Sequence, residues 1–129
     1  MEKSRDCVYA VLALGSNLEP KSSRVLSAIS WLSEVSEVVS ATRPYETPPL
    51  GGGKRRYCNA VVTVVFHGSR QQLESLAKEY EVNMGRDDAC RMRGDVPIDV
   101  DVVVADGIVL RKRDFESFYF KMGLQLLEE

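Results

Sequence analysis

The stretch Tyr57–Phe66 has the sequence YCNAVVTVVF and is the most strand-like part of the chain. It is rich in β-branched residues, which favour an extended backbone. Because side chains alternate between the two faces of a strand, Tyr57, Asn59 and Val61 share one face. Asn59 is the most polar residue of the run, and a buried amide without a partner costs about 1–3 kcal/mol. The pattern therefore predicts a buried strand whose asparagine has a specific hydrogen-bond partner.

Strands and helices alternate on both sides of this strand. The other predicted strands are Cys7–Leu14, ended by Gly15, then Val38–Tyr45 and Ile98–Ala105, with a hairpin turn at Asp106-Gly107. The predicted helices begin at Pro20, after the Ser69/Gln72 capping box, and at Ser117. The segment Arg86–Pro97 shows no periodicity and is predicted to be a loop.

This order of elements, β-α-β followed by β-α-β, is typical of the α+β ferredoxin-like two-layer sandwich. In that architecture the helices pack on one face of an antiparallel sheet. No repeat, low-complexity tract or linker interrupts the pattern, so we expect a single domain over residues 1–129.

The composition narrows the range of functions. The 129 residues are 44% hydrophobic and 28% charged, with a formal net charge of -2. This balance argues against a nucleic-acid-binding or membrane-surface protein, since both usually carry a basic excess. No apolar run approaches the roughly 20 residues of a membrane span, and the N-terminus lacks the apolar core of a secretion signal, so we expect a cytoplasmic protein. Three cysteines without a CxxC pair and one histidine argue against a zinc site.

The segment Asp99-Val100-Asp101 is the most distinctive chemical feature of the sequence. Residues i and i+2 of a strand face the same side, so both carboxylates project together while Ile98 and Val100 pack inward. Two adjacent carboxylates repel each other unless a cation lies between them, which makes the pair a suitable Mg²⁺ anchor. The alternative is a strand with a solvated polar face, although Val103 on the same face is apolar.

Arg86 directly follows Gly85, which is predicted to end the second helix, and it precedes the acid pair. An arginine near a metal–phosphate site neutralises the charge that develops in phosphoryl transfer. The alternative is an arginine that complements the dipole at the helix C-terminus. The patterns GxxxxGK[ST] and GxGxxG are absent, which argues against a Walker or Rossmann phosphate loop.

The proline-rich segment Thr47-Pro48-Pro49-Leu50-Gly51 precedes the strand that carries Tyr57 and Asn59. Two prolines stiffen this segment and leave carbonyl groups free, because proline has no N–H. Beside it, Tyr57 could stack on a flat polar heterocycle, and Asn59 could pair with the donor–acceptor edge of that ring. A structural turn with an incidental strand asparagine explains the same residues equally well.

Taken in order, these segments resemble hydroxymethyl-dihydropterin pyrophosphokinase, an enzyme family of folate biosynthesis. The matching segments are Ala13–Leu18, Tyr45, Thr47–Gly51, Tyr57–Val61, Glu81 with Gly85-Arg86, and Ile98–Asp101. Each motif is weak alone, but several in the right order form a specific signal over about Val8–Gly107.

The resemblance implies transfer of pyrophosphate from ATP to the hydroxymethyl group of 6-hydroxymethyl-7,8-dihydropterin, with release of AMP. It implies that Asp99 and Asp101 hold two Mg²⁺ ions and that Arg86 contacts the phosphates, which makes these three residues the candidate catalytic group. Glu81 is expected near the nucleotide. The implied pterin pocket consists of Thr47, Pro48, Leu50, Tyr57 and Asn59. The implied partners are these two small-molecule substrates, and the oligomeric state is left open.

The loop before the acid pair departs from the family's pattern. Family members have a basic loop that ends in Trp-Gly-Pro-Arg, whereas here Gly94 alone is retained, with Arg93, Asp95 and Val96 at the other positions. No histidine follows the acid pair, where the family has a His-Tyr pair. Lys54–Arg56 or Arg111–Arg113 are candidates for replacement charge. Two alternatives therefore stay open, namely a weakly active or non-catalytic pterin-binding homologue and a ferredoxin-like interaction domain.

Overall fold

The computed structural model describes residues 7–48 and 55–129. Its strands are β1 (Val8–Ser16), β2 (Glu37–Ala41), β3 (Tyr45–Thr47), β4 (Tyr57–Phe66), β5 (Asp99–Ala105) and β6 (Ile108–Val109). Its helices are α1 (Lys21–Val35), α2 (Arg70–Asn83), α3 (Asp88–Arg93), α4 (Lys112–Glu116) and α5 (Phe118–Leu127). Within these two ranges no helix has the length and apolar character needed to cross a membrane.

The strands form one antiparallel sheet in which β2, β4, β1, β5 and β6 are neighbours in that order. The short strand β3 pairs with the start of β4. Strands β4 and β1 are long and apolar, and they pair along their whole length at the centre of the sheet. Helices packed on an antiparallel sheet confirm the predicted α+β ferredoxin-like sandwich.

The main hydrophobic core lies between one face of the sheet and the helices α1 and α2. Leu12 of β1, Leu32 of α1 and Leu73 of α2 are fully buried there. Trp31 stacks on Tyr80 across the two helices, with ring centroids 4.3 Å apart. Because the helices occupy this face, the polar side chains of β4 and β5 lie on the opposite face.

That opposite face is covered in part by α5. Phe120 is fully buried in a second cluster with Ala13, Val61 and Val103. Gly123 lets the helix lie close to the sheet, because a Cβ atom at this position would collide with the side chain of Val61. The sequence predicted this terminal helix but not its position on the face opposite α1 and α2.

Two predicted strand boundaries were wrong. Strand β1 does not end before Gly15 but runs to Ser16, and Gly15 pairs with both neighbouring strands. The segment Val38–Tyr45 is not one strand, since β2 ends at Ala41 and β3 begins at Tyr45. Pro44 lies between them and has no N–H to contribute to a strand ladder.

The prediction of a plain loop over Arg86–Pro97 was also wrong, because this segment contains α3. Asp87 caps the helix by accepting a hydrogen bond from the Cys90 N–H at 2.8 Å. Gly94 ends it in the left-handed region at φ 75°. A helix this short shows no periodicity, so only its two caps could identify it from sequence. The short helix α4 was missed for the same reason.

Candidate active site

Asn59 of β4 and the two acids of β5 lie on one face of the sheet, on the two strands that flank β1. Asn59 of β4 pairs with Gly15, and Gly15 pairs with Asp99 of β5. Two residues earlier in β1, on the same face, Ala13 is the partner of Asp101. The flanking strands are two strand spacings apart, or about 10 Å. The small side chains of β1 therefore form the floor of a trough between Asn59 and the acid pair.

A cavity of about 40 Å³ lies in this trough. Its lining includes Gly15 in the floor, Tyr57 and Asn59 on one side, Asp99 and Asp101 on the other, and Tyr119 of α5. A Cβ atom at Gly15 would lie 3.1 Å from Asn59 Oδ1, so the glycine keeps the space open. A volume of this size holds one or two water molecules and no bicyclic ring. Ring binding therefore requires the lining side chains to move apart.

The acid pair has the electrostatics of a cation site. The side chains of Asp99 and Asp101 are 31% and 19% exposed. Burial, together with the neighbouring charge of Asp99, raises the pKa of Asp101 to about 6, which means that its charged form is disfavoured without a cation. Among the described residues, no group of three or more His, Cys, Asp or Glu could hold a metal ion. Two carboxylates nevertheless suit Mg²⁺, which usually takes one or two from the protein and completes its shell with phosphates and water.

Each acid has an arginine partner. Arg86 Nη1 contacts Asp99 Oδ1, and Arg111 Nη2 lies 3.9 Å from Asp101 Oδ1. The structure thus places Arg86 beside the acid pair, and its contact with phosphates stays a prediction. Because a guanidinium binds phosphate as readily as carboxylate, the same arginines can transfer to a nucleotide when one is present.

Glu81 lies behind β5 rather than on the trough. Its side chain is 4% exposed, and its Oε2 accepts the Val100 N–H at 2.8 Å on the edge of β5 that faces away from β1. Its Oε1 lies 3.5 Å from Arg86 Nη1. Burial raises the pKa of Glu81. The position of Glu81 makes it a support for both the acid strand and Arg86.

The predicted pterin residues come together in part. Asn59 is 4% exposed, and its Nδ2 donates to Thr47 Oγ1 at 2.6 Å, which supplies the partner that a buried amide needs. Tyr57 and Asn59 line the trough cavity, whereas Thr47 is fully buried and holds Asn59. Pro48 follows Thr47 and is exposed. Leu50 lies outside the described residues.

Tyr119 is a site residue that the sequence analysis missed. Its hydroxyl donates to Asp114 Oδ1 at 2.5 Å, and its carbonyl accepts the Tyr45 hydroxyl at 2.7 Å. It lines the trough cavity together with Tyr57 and Asn59 of β4. The only signal in the sequence is an aromatic residue early in the terminal helix, which hydrophobic packing explains equally well.

A second cavity, of about 350 Å³, lies beside the first along the free edge of β5. Its charged residues are two cations, Lys78 of α2 and Arg111, and two carboxylates, Glu74 and Asp101, while Val102 and Leu110 supply apolar surface. Its volume is within the range of small-molecule sites, and its cations suit a phosphate-bearing ligand. Asp101 lines both cavities and therefore lies at their junction, whereas Asp99 lines the trough cavity.

The loop that departs from the family's pattern, residues 87–97, is called the departing loop below. Its two arginines form ion pairs within the loop. Arg91 Nη1 lies 3.0 Å from Asp88 Oδ1, and Arg93 Nε lies 2.8 Å from Asp95 Oδ2. Arg55, from the segment before β4, also contacts Asp95. These ion pairs explain how a loop with several aspartates can lie beside a candidate phosphate site, since its charges compensate one another.

The turn after β1 anchors the end of that loop. Asn17 Nδ2 donates to the Gly94 carbonyl at 2.9 Å, and Asn17 Oδ1 accepts the Val96 N–H at 2.7 Å. Ser16 Oγ donates to the Val96 carbonyl at 3.2 Å. These contacts fix the chain immediately before β5. The segment after β1 is therefore a structural anchor, in agreement with the absence of a Walker or Rossmann pattern.

The fold and the site define a class of protein, namely an α+β domain with an acid pair on its sheet, one member of which lines two adjacent cavities. The chain matches the family model of 7,8-dihydro-6-hydroxymethylpterin-pyrophosphokinase (HPPK) over residues 11–126 and belongs to that family. The family that the sequence motifs resemble is thereby confirmed. At the family level this is an ATP-dependent transferase of folate biosynthesis. The search of curated proteins gives no match.

Proposed function

We propose that the chain, as a single domain over residues 1–129, is an active pyrophosphokinase of the cytoplasm. It would transfer pyrophosphate from ATP to 6-hydroxymethyl-7,8-dihydropterin. The hydroxymethyl oxygen attacks the β-phosphorus and forms an O–P bond, while the bond from that phosphorus to the α–β bridging oxygen breaks. AMP leaves with the bridging oxygen, and the hydroxyl proton passes to water. Such a transfer needs positioning and charge neutralisation rather than a protein nucleophile.

The observation that carries the proposal is that Asp101 lines two adjacent cavities. The trough cavity offers an amide and aromatic side chains on the β4 side, which suit a flat polar ring. The edge cavity offers Lys78 and Arg111, which suit phosphates, beside the carboxylates of Glu74 and Asp101. A two-substrate transfer requires the acceptor and the donor to meet at one point, and the acid pair is that point.

The donor set fits the metal that the family implies. Asp99 and Asp101 are the residues that would hold two Mg²⁺ ions, since they present carboxylate oxygens on one face of β5. Bound there, Mg²⁺ would neutralise triphosphate charge and hold the phosphates against the sheet. Arg86 would exchange Asp99 for a phosphate oxygen as the nucleotide enters, and Glu81 would keep it in place.

On the pterin side, Asn59 would pair with the ring edge while Thr47 fixes the amide. Tyr57 would stack on the ring, and Pro48 and Leu50 would contribute to the pocket rim. Because the trough cavity is only about 40 Å³, Tyr119 and Tyr57 must separate when the ring enters. Side-chain rearrangements of this kind are common on ligand binding.

The experiment is an assay of AMP formation by the purified chain with Mg²⁺, ATP and the hydroxymethyl pterin. We expect AMP only when all three are present, and a loss of at least 100-fold in kcat for Asp99→Ala, because one well-placed charge interaction is worth that much in phosphoryl transfer. Asp88→Ala is the matched control, since its carboxylate is 96% exposed on α3. Its kcat should stay within twofold of the wild type.

Two results would contradict the proposal. One is the absence of pterin-dependent AMP release from the wild type, and the other is equal activity in Asp99→Ala. If calorimetry then showed pterin binding without turnover, the chain would be a pterin-binding homologue. If neither substrate bound, the alternative of a ferredoxin-like interaction domain would be favoured.

A further inference from the structure

We propose that Arg111 is a second phosphate-binding arginine of this site and that Asp114 positions it. The inference rests on the proposed function and extends it, because Arg111 lies outside every segment that matches the family's motifs. It assigns to a residue after β6 the charge that the departing loop does not provide.

The backbone delivers Arg111 to the acid pair through a β-bulge. Val11 pairs with Val104 and Leu12 with Val102, so Val103 is an extra residue in β5. The carbonyl of Val103 accepts the N–H groups of Leu110 and Arg111, at 2.8 and 3.4 Å. The chain therefore returns from the β5–β6 hairpin and places Arg111 beside the acids of the same strand.

The side chain of Arg111 is oriented toward a ligand space. Its Nη2 lies 3.9 Å from Asp101 Oδ1, and the residue lines the edge cavity. The guanidinium side chain remains 47% exposed, so a ligand in that cavity can reach it. Among the described residues, Arg86 and Arg111 are the cations within 4.0 Å of Asp99 or Asp101. Arg86 approaches Asp99 and Arg111 approaches Asp101, so the two arginines can contact different phosphates of one nucleotide.

The arginines of the departing loop are committed elsewhere. Arg91 and Arg93 pair with Asp88 and Asp95 at 3.0 and 2.8 Å. Val96 stands where the family's loop has an arginine. The site therefore lacks a loop cation that faces the acids, and Arg111 occupies a place from which it can supply one.

Asp114 holds Arg111 in this place. Its Oδ2 accepts from Arg111 Nε at 2.5 Å, which leaves the Nη atoms free for a phosphate. Its Oδ1 accepts the Tyr119 hydroxyl at 2.5 Å, so the same carboxylate also fixes the aromatic residue over the trough cavity. Asp114 is thus a positioning residue that connects the two cavities without touching either substrate.

The chemistry requires such a cation. As the bond from the β-phosphorus to the bridging oxygen breaks, negative charge accumulates on the departing AMP and on the transferred group. A guanidinium that is already oriented stabilises this charge more than it stabilises bound ATP, so its effect is expected in kcat as well as in affinity. Lysine, a point charge without the planar fork, would replace it only in part.

The test combines turnover with an equilibrium measurement. AMP formation gives kcat and KM, and calorimetry with Mg²⁺ and α,β-methylene-ATP, in which the scissile bridge cannot break, gives affinity. For Arg111→Ala we expect a fall of about 100-fold or more in kcat and a tenfold weaker analogue. Arg111→Lys should bind the analogue within a few fold of the wild type but recover little kcat. Arg113→Ala, on the exposed side of α4, is the control and should match the wild type.

Asp114→Asn tests the positioning role separately. It keeps an acceptor for Tyr119 but removes the charge that orients Arg111, so kcat should fall about tenfold while KM for the pterin stays unchanged. If Asp114 had a merely structural role, the substitution would lower the melting temperature without this selective fall in kcat at unchanged KM. Thermal melting of every variant checks folding, and Arg111→Met, which keeps the aliphatic stem, replaces the alanine variant if the latter unfolds.

The outcomes separate this inference from the proposed function. Turnover and analogue binding within twofold of the wild type in Arg111→Ala would overturn the phosphate-site role while the pyrophosphokinase stands. Analogue binding that is lost in Arg111→Ala, in a wild type that makes no AMP, would support the site and overturn the activity. A wild type that binds no analogue would overturn both.

Discussion

Gly15 lies between Asn59 and Asp99 in the sheet, and its missing side chain keeps the trough cavity open. Gly15→Val should therefore weaken pterin binding at least tenfold, as measured by calorimetry. The reason is that a Cβ atom alone already lies 3.1 Å from Asn59 Oδ1 and 3.7 Å from the Tyr57 ring. Valine suits a strand, so the domain should still melt cooperatively after an overpacking cost of about 1–3 kcal/mol.

Binding of Mg²⁺ with an ATP analogue provides the internal control for this variant, since the edge cavity does not include Gly15. Gly15→Ala should give a smaller loss of pterin affinity than valine. Unchanged pterin affinity in Gly15→Val would show that the ring binds elsewhere.

Among the individual site residues, some were predicted from the sequence and others were missed, for a physical reason. Asn59 and the acid pair could be found because each is polar within an apolar strand, and such a residue needs a partner or a function. Tyr119 was missed because an aromatic residue in a helix is ordinary, and Arg111 was named only as one member of a basic run, without a specific role. Their positions beside the trough and the acid pair depend on how the chain folds back onto the sheet, which a local sequence pattern does not show.

Among the elements, α5 determines how closely the trough is closed. Gly123 gives it close approach to β4, since a Cβ atom there would collide with Val61 and with the Tyr45 hydroxyl. Gly123→Ala should destabilise the protein by about 1–3 kcal/mol, because overpacking exceeds the gain of up to 1 kcal/mol in helix propensity. Chemical denaturation would measure this difference. Met122→Ala, on the exposed side of the same helix, should change stability by less than half as much.

If Gly123→Ala were instead stabilising, α5 would have room to move off the sheet without loss. The contact between Tyr45 and the Tyr119 carbonyl would then not fix the helix, and the closure of the trough would need another explanation.

The elements themselves differ in how visible they are in the sequence. Strand β4 was predicted with its exact bounds, because seven of its ten residues are β-branched or aromatic and no helical period competes. Helix α2 was also found from its Ser69/Gln72 capping box, which the structure contains. Helix α3 was missed because six residues cannot show a helical period, and its stability comes from the Asp87 cap and from contacts with the turn after β1.

For the whole molecule, the two cavities predict separate protection by the two substrates. Hydrogen exchange should slow in α5 and the start of β4 when the pterin is added, since these elements line the trough. It should slow in α2 and along β5 when Mg²⁺ and the ATP analogue are added, since these line the edge cavity. Ligand at 100 times its Kd should also add about 2.7 kcal/mol to stability.

The exchange at Phe66 and His67, at the far end of β4, serves as the reference region. Identical protection patterns for both ligands would mean one site instead of two, and would contradict the arrangement in which Asp101 is shared.

The single extra residue at Val103 has a consequence for how this chain can vary in length. Upstream of it, odd-numbered side chains of β5 face α5; downstream, Val104 does so instead. The bulge therefore shifts the alternation of side chains by one residue, between the carboxylates of β5 and the segment that returns with Arg111. Deleting the extra residue would restore the regular alternation of β5 and leave Val104 and the residues after it on their present sides of the sheet. We therefore expect the chain to tolerate loss of the bulge residue, with only the local bend of the strand changed.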